Sequence, residues 1–368
     1  MTNSIDYAIE LHDESTRLEA AGELTAAEAR CRQALAIFEK EDGPESPDVA
    51  NLLHSLGMIL EKQGRYDETE VCARRALAIV EPLLPQFDGP DGVLIQLHAL
   101  GLLGTALRQK GRYLEARPLL ERALAIADGL GNEPEEVVTA LNNFGMLCKF
   151  AGWFDEGAGS YARAMRIILP ITGERHETVA TLYHNIGGLE HARECYAAAE
   201  EPSRKAWEIR GALLGEEHLN AQADAVAYAA VLDGLDRFDE SRPIYERALA
   251  IYERVLGPEH YEVAATLHNL SVLEQAQGDV ERGVALCRRS LELKRKLLGD
   301  DHPDTALTLM NLGAMLLGQG QRDEARPLCE SALATFRRTL APAHPHVLLC
   351  ENLVRQCGEF AEPVGSLT

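Results

Sequence analysis

One pattern recurs about every 42 residues along most of this 368-residue chain. The clearest copy begins at Gly257, and the next begins at Gly299, an interval of 42 residues. Each copy holds two stretches with apolar residues at helical spacing, separated here by a break at Gly278. One pair of amphipathic helices cannot bury its own apolar face, whereas copies stacked side by side can. The pattern therefore predicts an all-α solenoid.

Three columns of residues set the number of copies. The second helix carries a small residue before a Leu-x-Ile type run, at Ala34, Ala76, Ala123, Ala164, Ala206, Ala248, Ser290 and Ala332. The turn between the helices lies at Gly22, Gly64, Gly111, Gly152, Glu194, Asp236, Gly278 and Gly320. The first helix carries a small residue at Ser15, Gly57, Gly104, Gly145, Gly187, Ala229, Ser271 and Gly313. Their agreement predicts eight helix hairpins.

This register divides the chain into units. Residues 1–344 hold eight tandem units, at approximately 3–42, 46–86, 91–131, 134–172, 176–215, 218–257, 260–299 and 302–341. Residues 345–358 are predicted to form a helix that caps the last unit, and residues 359–368 a frayed tail. Residues 81–92 contain three prolines and two glycines, which predicts an irregular insertion without an ordered helix.

The unit resembles the tetratricopeptide repeat, in the longer form found in kinesin light chains. The resemblance rests on the linkers, first-helix segments and Gly-Arg-Tyr turns at Leu256–His260, Leu298–Asp304, Asn142–Gly145, His184–Gly187, Gly64–Glu70 and Gly111–Arg117. It covers nearly the whole chain. It implies a right-handed solenoid of eight hairpins plus a capping helix, with the first helices lining a concave groove.

Composition narrows the class of partner. The net charge of −22 argues against nucleic acid and anionic membranes, because both would be repelled. No N-terminal apolar run and no 18-residue apolar stretch is present, so we expect a cytoplasmic chain. The eight cysteines include no CxxC, and Cys31, Cys287 and Cys329 share one column, which indicates small buried side chains. We expect no cofactor.

Asparagines recur on the predicted groove side of the first helices. Asparagine is a mediocre helix former, and its amide can both donate to and accept from an extended peptide backbone. In tetratricopeptide relatives this asparagine holds the backbone of a bound segment, which implies the same role for Asn142, Asn143, Asn185, Asn269 and Asn311. The alternative is that each asparagine bonds a neighbouring helix.

Charged and apolar side chains complete the predicted groove. Arg108 and Lys149, together with His191, form a basic stripe that could hold an acidic segment or a C-terminal carboxylate. Met146 and Phe150 offer adaptable apolar contacts, as does Met58. We therefore expect a protein or peptide partner, including one with acidic residues.

Histidines fall into two groups. The first lies on the groove side, at His12, His54, His98, His184 and His268. Neighbouring units stack about 10 Å apart, too far for these nitrogens to share a metal ion that needs ligands at about 2 Å. The second group lies in the linkers, where we expect capping and packing roles, at His176, His218, His260, His302 and His344.

No catalytic motif occurs in the sequence: it lacks a phosphate-binding loop, a nucleophile elbow and an HExxH segment. We therefore expect a non-catalytic adaptor that binds a peptide segment of a partner in the concave groove. Two alternatives stay open. One is a small-ligand sensor or accessory enzyme with a pocket around units 3–5, and the other is a self-assembling scaffold. The sequence leaves the oligomeric state undetermined.

Overall fold

The computed structural model describes residues 4–87, 89–131, 134–340, 342 and 344–358, and its regular elements there are helices. The first eight α-helices are α1 (Ser4–Ala20), α2 (Leu24–Glu41), α3 (Pro47–Lys62), α4 (Tyr66–Leu83), α5 (Asp91–Gln109), α6 (Tyr113–Gly129), α7 (Pro134–Ala151) and α8 (Phe154–Thr172). The others are α9 (Glu177–Ala192), α10 (Tyr196–Leu214), α11 (Leu219–Gly234), α12 (Phe238–Leu256), α13 (Tyr261–Ala276), α14 (Val280–Leu298), α15 (Pro303–Gly318), α16 (Arg322–Thr339) and α17 (Pro345–Gly358).

These helices confirm the predicted all-α fold of tandem helix hairpins followed by one terminal helix. The numerical unit boundaries stay a prediction, and the tail at 359–368 lies outside the described residues. Within the described part, no helix has both the length and the apolar content of a membrane span.

The turn inside each hairpin requires a left-handed backbone. Glycine occupies this position in six hairpins, for example at Gly64 with φ 74°. In the other two hairpins, Glu194 and Asp236 adopt φ values of 61° and 59°. Glycine has no Cβ and enters this region at no steric cost, which explains the turn column in the sequence.

The small-residue column marks where the two helices of a hairpin approach closely. A side chain at Gly187 would overlap the Ser203 hydroxyl and would lie 3.1 Å from the Ser203 backbone nitrogen. At Gly313 it would overlap the Cys329 sulfur. Cys329 and its column partners Cys31 and Cys287 have no exposed surface, as predicted.

The chain divides into two compact units, Met1–Leu147 (unit 1) and Cys148–Thr368 (unit 2), and the division falls inside α7. The end of unit 2 has a continuous core around Leu309 and Phe336. Val347 and Cys350 of α17 belong to that core. The terminal helix therefore covers the apolar face of the last hairpin, as expected.

The stretch after α4 is more ordered than the sequence predicted. Helix α4 continues to Leu83 although Pro82 lies inside it, and a 3₁₀ helix follows over Leu84–Gln86. The ring of Phe87 then fills the space beside Gly92, where a Cβ would overlap it. The prediction of no ordered helix was wrong for this stretch, because a proline in the last helical turn removes only one hydrogen bond near an end that is already frayed.

Candidate functional site

Helices α3, α5 and α7, the first helices of three consecutive hairpins, line a cavity of about 490 Å³ in unit 1, together with Leu120 and Ala123 of α6. We call it the unit 1 cavity. Its polar lining is His54, Glu61, His98, Thr105, Arg108, Gln109, Glu136, Thr139 and Asn143. Met58 and Met146 contribute flexible apolar surface, which can adapt to different ligands. Six predicted groove residues therefore meet at one site: His54, Met58, His98, Arg108, Asn143 and Met146.

Two histidines and a glutamate connect the three helices along this cavity. The rings of His54 and His98 stack with centroids 5.2 Å apart and planes inclined by 27°. His98 Nε2 lies 3.1 Å from each carboxylate oxygen of Glu136. Burial, and then the neighbouring His98, lower the pKa of His54 to about 4, so this imidazole is uncharged at neutral pH. Nowhere in the described ranges do three His, Cys, Asp or Glu side chains meet as a metal ion would require.

Gly101 keeps the middle of the unit 1 cavity open. It lies in α5, one helical turn after His98, and lines the cavity. A Cβ at this position would have Asn143 Nδ2, 3.6 Å away, as its neighbour, which is ordinary van der Waals contact. Gly101 occupies the same column as His54 in the sequence, so the missing side chain was the available signal for a cavity here.

The lining of the unit 1 cavity carries both signs of charge. Arg108 is 6% exposed and contributes a guanidinium group. Glu61 and Glu136 contribute carboxylates that were not among the predicted groove residues. Glu61 shares its sequence column with Arg108, of which only the basic members were selected, and Glu136 lies outside the columns considered. A guanidinium can donate two parallel hydrogen bonds to a carboxylate, whereas the glutamates favour cationic groups.

One predicted groove residue of α9, His184, contacts the next first helix of unit 2. His184 Nδ1 lies 2.7 Å from Asp224 Oδ1 in α11. Arg210 Nε lies 2.7 Å from the other oxygen of Asp224, and its Nη2 donates to Thr181 Oγ1 at 3.0 Å. Asn185, next to His184, is 3% exposed. Asp224, 2% exposed, thus compensates positive charge between three helices.

His268 and Asn311 form a second network in unit 2. Asn311 Nδ2 donates to His268 Nε2 at 3.1 Å, so His268 carries its proton on Nδ1, 3.2 Å from Thr308 Oγ1. Thr308 donates in turn to the carbonyl of Asp304. Burial, and then Lys294, lower the pKa of His268 to about 3. Asn311 therefore makes the contact to a neighbouring helix that was the alternative to peptide binding.

The other predicted residues have individual surroundings. Asn142 Nδ2 contacts Met146 Sδ at 3.7 Å, and Asn269 is half-buried. Lys149 Nζ lies 4.6 Å from the centre of the Phe150 ring. Burial, and then the charge of Lys149, lower the pKa of His191, so this member of the predicted basic stripe is less basic than a free imidazole.

The tandem hairpins and the cavity on their first helices define a helical repeat protein. A family model for the tetratricopeptide repeat matches residues 18–81, 95–168, 220–282 and 262–338, and a second model for the same repeat matches residues 179–220. The chain belongs to the tetratricopeptide repeat family. No curated protein matches it.

Solved structures share the fold at low sequence identity. The apo form of the quorum sensor NprR from B. thuringiensis is 10% identical, with a TM-score of 0.63, covering 91% of this chain and 89% of that chain. A Rap protein complexed with competence and sporulation factor is 14% identical, with a TM-score of 0.61, covering 96% and 98%. NprR in complex with its cognate peptide NprX is 15% identical, with a TM-score of 0.56, covering 81% and 82%.

Proposed function

We propose that this protein is a non-catalytic adaptor that binds a peptide segment of a partner protein in the unit 1 cavity. The observation that carries the proposal is the cavity itself, about 490 Å³ between first helices, with polar and methionine side chains on its walls. Binding sites for small segments are typically concave and combine apolar surface with a few oriented polar groups. Asn143 supplies a donor and an acceptor for the backbone of the segment.

Two of the solved structures with this fold support the choice of ligand. NprR was crystallised with its cognate peptide, and the Rap protein with competence and sporulation factor. Likeness at this level of identity establishes the fold alone, so the proposal depends on the residues of the unit 1 cavity.

The charges on the lining suggest how the segment is oriented. A carboxylate of the segment, from an acidic side chain or its C-terminus, would face Arg108 and accept hydrogen bonds from its guanidinium. Cationic or amide groups elsewhere on the segment would face Glu61 and Glu136. Arg108→Gln should weaken binding of a carboxylate-bearing peptide about tenfold or more, since hydrogen bonds to charged groups contribute about 1.5–3 kcal/mol.

The experiment fills the unit 1 cavity without disturbing the fold. Gly101→Leu adds a side chain that points into the cavity and replaces a poor helix former by a good one. Gly159→Leu is the matched control, because Gly159 is an exposed helical glycine of α8 with open space around its Cβ position. Both variants and the wild type serve as baits in a lysate of the source organism, with bound protein read by mass spectrometry.

The proposal predicts a partner that the wild type and Gly159→Leu retain and Gly101→Leu loses. Overlapping synthetic peptides of that partner should then bind the wild type in calorimetry, and the binding should disappear with Gly101→Leu. A partner retained equally by all three chains contradicts binding in the unit 1 cavity.

A second candidate is a small-ligand sensor, and the same cavity favours it. The cavity is lined by the first helices of the second, third and fourth predicted hairpins. The sequence predicted the pocket one hairpin later, around the third to fifth. Native mass spectrometry of the purified chain distinguishes the two candidates. A small molecule that co-purifies with the wild type and Gly159→Leu, but not with Gly101→Leu, supports the sensor.

A further inference from the structure

Five linker histidines cap the helices that follow them in unit 2. The imidazole Nδ1 of His176, His218, His260 and His302 accepts a hydrogen bond from the backbone nitrogen two residues later, at 3.1–3.2 Å. His344 makes the same bond to His346 N at 3.1 Å. The predicted capping role is confirmed, and each bond satisfies an N–H group that the helix itself cannot pair.

The last of these histidines differs from the others in its surroundings. His176 and His218 are exposed and His260 and His302 half-buried, whereas His344 is only 6% exposed. Its ring lies 6.0 Å from Phe154 and 4.8 Å from His346, centre to centre. A linker that follows the last hairpin would ordinarily be solvent-exposed.

His344 is buried against the turn between α7 and α8. A Cβ on Gly152 would overlap the His344 ring at Cδ2. The turn glycines Gly22, Gly64, Gly278 and Gly320 have the same positive φ but open space at the Cβ position. Glycine at 152 therefore meets two requirements, the left-handed φ of 82° shared with the other turns and the close approach of the His344 ring.

The neighbouring histidine packs against the last hairpin. The His346 ring lies 5.6 Å from Phe336 of α16, centre to centre. Burial lowers the pKa of His346. The two histidines therefore hold the start of α17 against both the turn before α8 and the last hairpin.

We propose that residues 344–346 form a clasp, which closes unit 2 by fastening the start of α17 to the turn that begins α8. Opening of the clasp frees the start of α17 and the start of α8 together. This inference stands on contacts within unit 2 and does not depend on the function proposed for the unit 1 cavity.

Hydrogen exchange of the full chain tests the clasp with a matched pair of variants. Gly152→Ala and Gly320→Ala carry the same backbone strain, with φ 82° and 79°, but only the first places a methyl group against His344. The backbone nitrogens of His346 and Val347 bond to His344 at 3.1 and 2.9 Å. Their amides should exchange about tenfold faster in Gly152→Ala than in Gly320→Ala, since a loosened segment opens locally.

A second pair covers the case in which Gly152→Ala fails to fold. His344→Ala and His218→Ala each remove one capping imidazole, but His218 is exposed and touches no distant turn. His344→Ala alone should accelerate exchange at the start of α8, because the contacts of its ring with Gly152 and Phe154 are lost. Equal exchange in α8 for the two histidine variants, or equal exchange in α17 for the two glycine variants, overturns the clasp.

Discussion

The two units place similar residues on their first helices and put them to different structural uses. In unit 1, His54 and His98 stack beside an open cavity, and the adjacent position in α5 is Gly101, which has no side chain. In unit 2, His184 and His268 each meet a matching polar group on the next first helix, Asp224 and Thr308. The same column of histidines therefore borders a cavity in one unit and joins helices in the other.

This difference shows that the neighbour decides the role of a repeated residue. In unit 2, a polar partner on the next first helix occupies the space beside the repeated residue, as with Asn311 and His268. In unit 1, His98 also pairs with Glu136, but the cavity stays open beside them. A glycine at the facing position leaves the same residue types accessible, as with Asn143 beside Gly101. If this account holds, substitutions in unit 2 should change stability, and substitutions at the unit 1 cavity should change binding.

The largest difference between the two units is expected in the free energy of unfolding, when one carboxylate is removed from each. Asp224→Ala should lower the free energy of unfolding by about 3–5 kcal/mol, because Arg210, whose side chain is 9% exposed, loses the carboxylate at 2.7 Å and keeps the more distant one of Glu177 at 3.9 Å. Glu136→Ala should lower it by less than about 1 kcal/mol, because the side chains of His98 and Glu136 are 36% and 26% exposed. Urea unfolding followed by circular dichroism measures both, and equal losses would contradict the comparison.

The next largest difference is expected in how acid pH changes the stability contributed by one histidine of each unit. The pKa values of His54 and His268 are lowered to about 4 and about 3, so the folded chain holds both imidazoles neutral while the unfolded chain protonates near pH 6.5. The stabilisation that each neutral imidazole gives to the folded chain is complete above pH 6.5. As the pH falls below 6.5, the free energy of unfolding decreases by about 1.4 kcal/mol per pH unit for each histidine. By pH 4.5 each histidine should cost about 2–3 kcal/mol.

The two histidines differ only below pH 4. There His268 continues to oppose folding until about pH 3, whereas His54 is already protonated in the folded chain. The free energy of unfolding is measured from pH 7 to pH 3 for the wild type, His54→Gln and His268→Gln. Differences between these curves remove the effect of the carboxylates, which all three chains share. The wild-type curve should diverge from His268→Gln down to pH 3 and from His54→Gln only to pH 4. Parallel curves would show that neither imidazole is held neutral.

The repeat period, the turn column and the linker histidines were predictable because each depends on local chemistry that recurs eight or five times. Glycine at the hairpin turns follows from left-handed φ, and His302 as a cap follows from its place before a helix. The unit 1 cavity was not predictable in detail. Glu136 and Gly101 do not belong to the recurring residue types from which the groove was predicted. Their proximity to His98 depends on how three helices pack.

The polar networks of unit 2 could not be predicted from the sequence either. The pairing of Arg210 with Asp224 joins a second helix to the next first helix, and no motif signals it. His344 looks like the four other linker histidines in the sequence. Only its burial against Gly152, which is nearly 200 residues away, distinguishes it.

Asparagine substitutions should have moderate and unequal effects. Asn311→Ala should lower the free energy of unfolding by about 1–2 kcal/mol, because His268 Nε2 would remain buried without its donor. Asn143→Ala should change it by less than about 0.5 kcal/mol, since Asn143 lines the open cavity, and should instead weaken peptide binding. The double variant Asn311→Ala/His268→Ala should lose less than the sum of the two single losses, and a double-mutant cycle measures the difference. A full loss in Asn143→Ala would indicate an internal role there as well.

The smallest expected change in the free energy of unfolding comes from a substitution in the wall of the unit 1 cavity. Gly101→Ala should raise the free energy of unfolding by about 0.5–1 kcal/mol, because alanine is the better helix former and its methyl group meets Asn143 at an ordinary distance. Gly188→Ala in α9 should gain less, because its methyl group would lie 3.3 Å from Lys149 Nζ and the lysine must move. Melting curves of both variants give the two gains. If Gly101→Ala destabilises the chain, the space beside Gly101 is filled by a close contact, and the cavity cannot admit a ligand there.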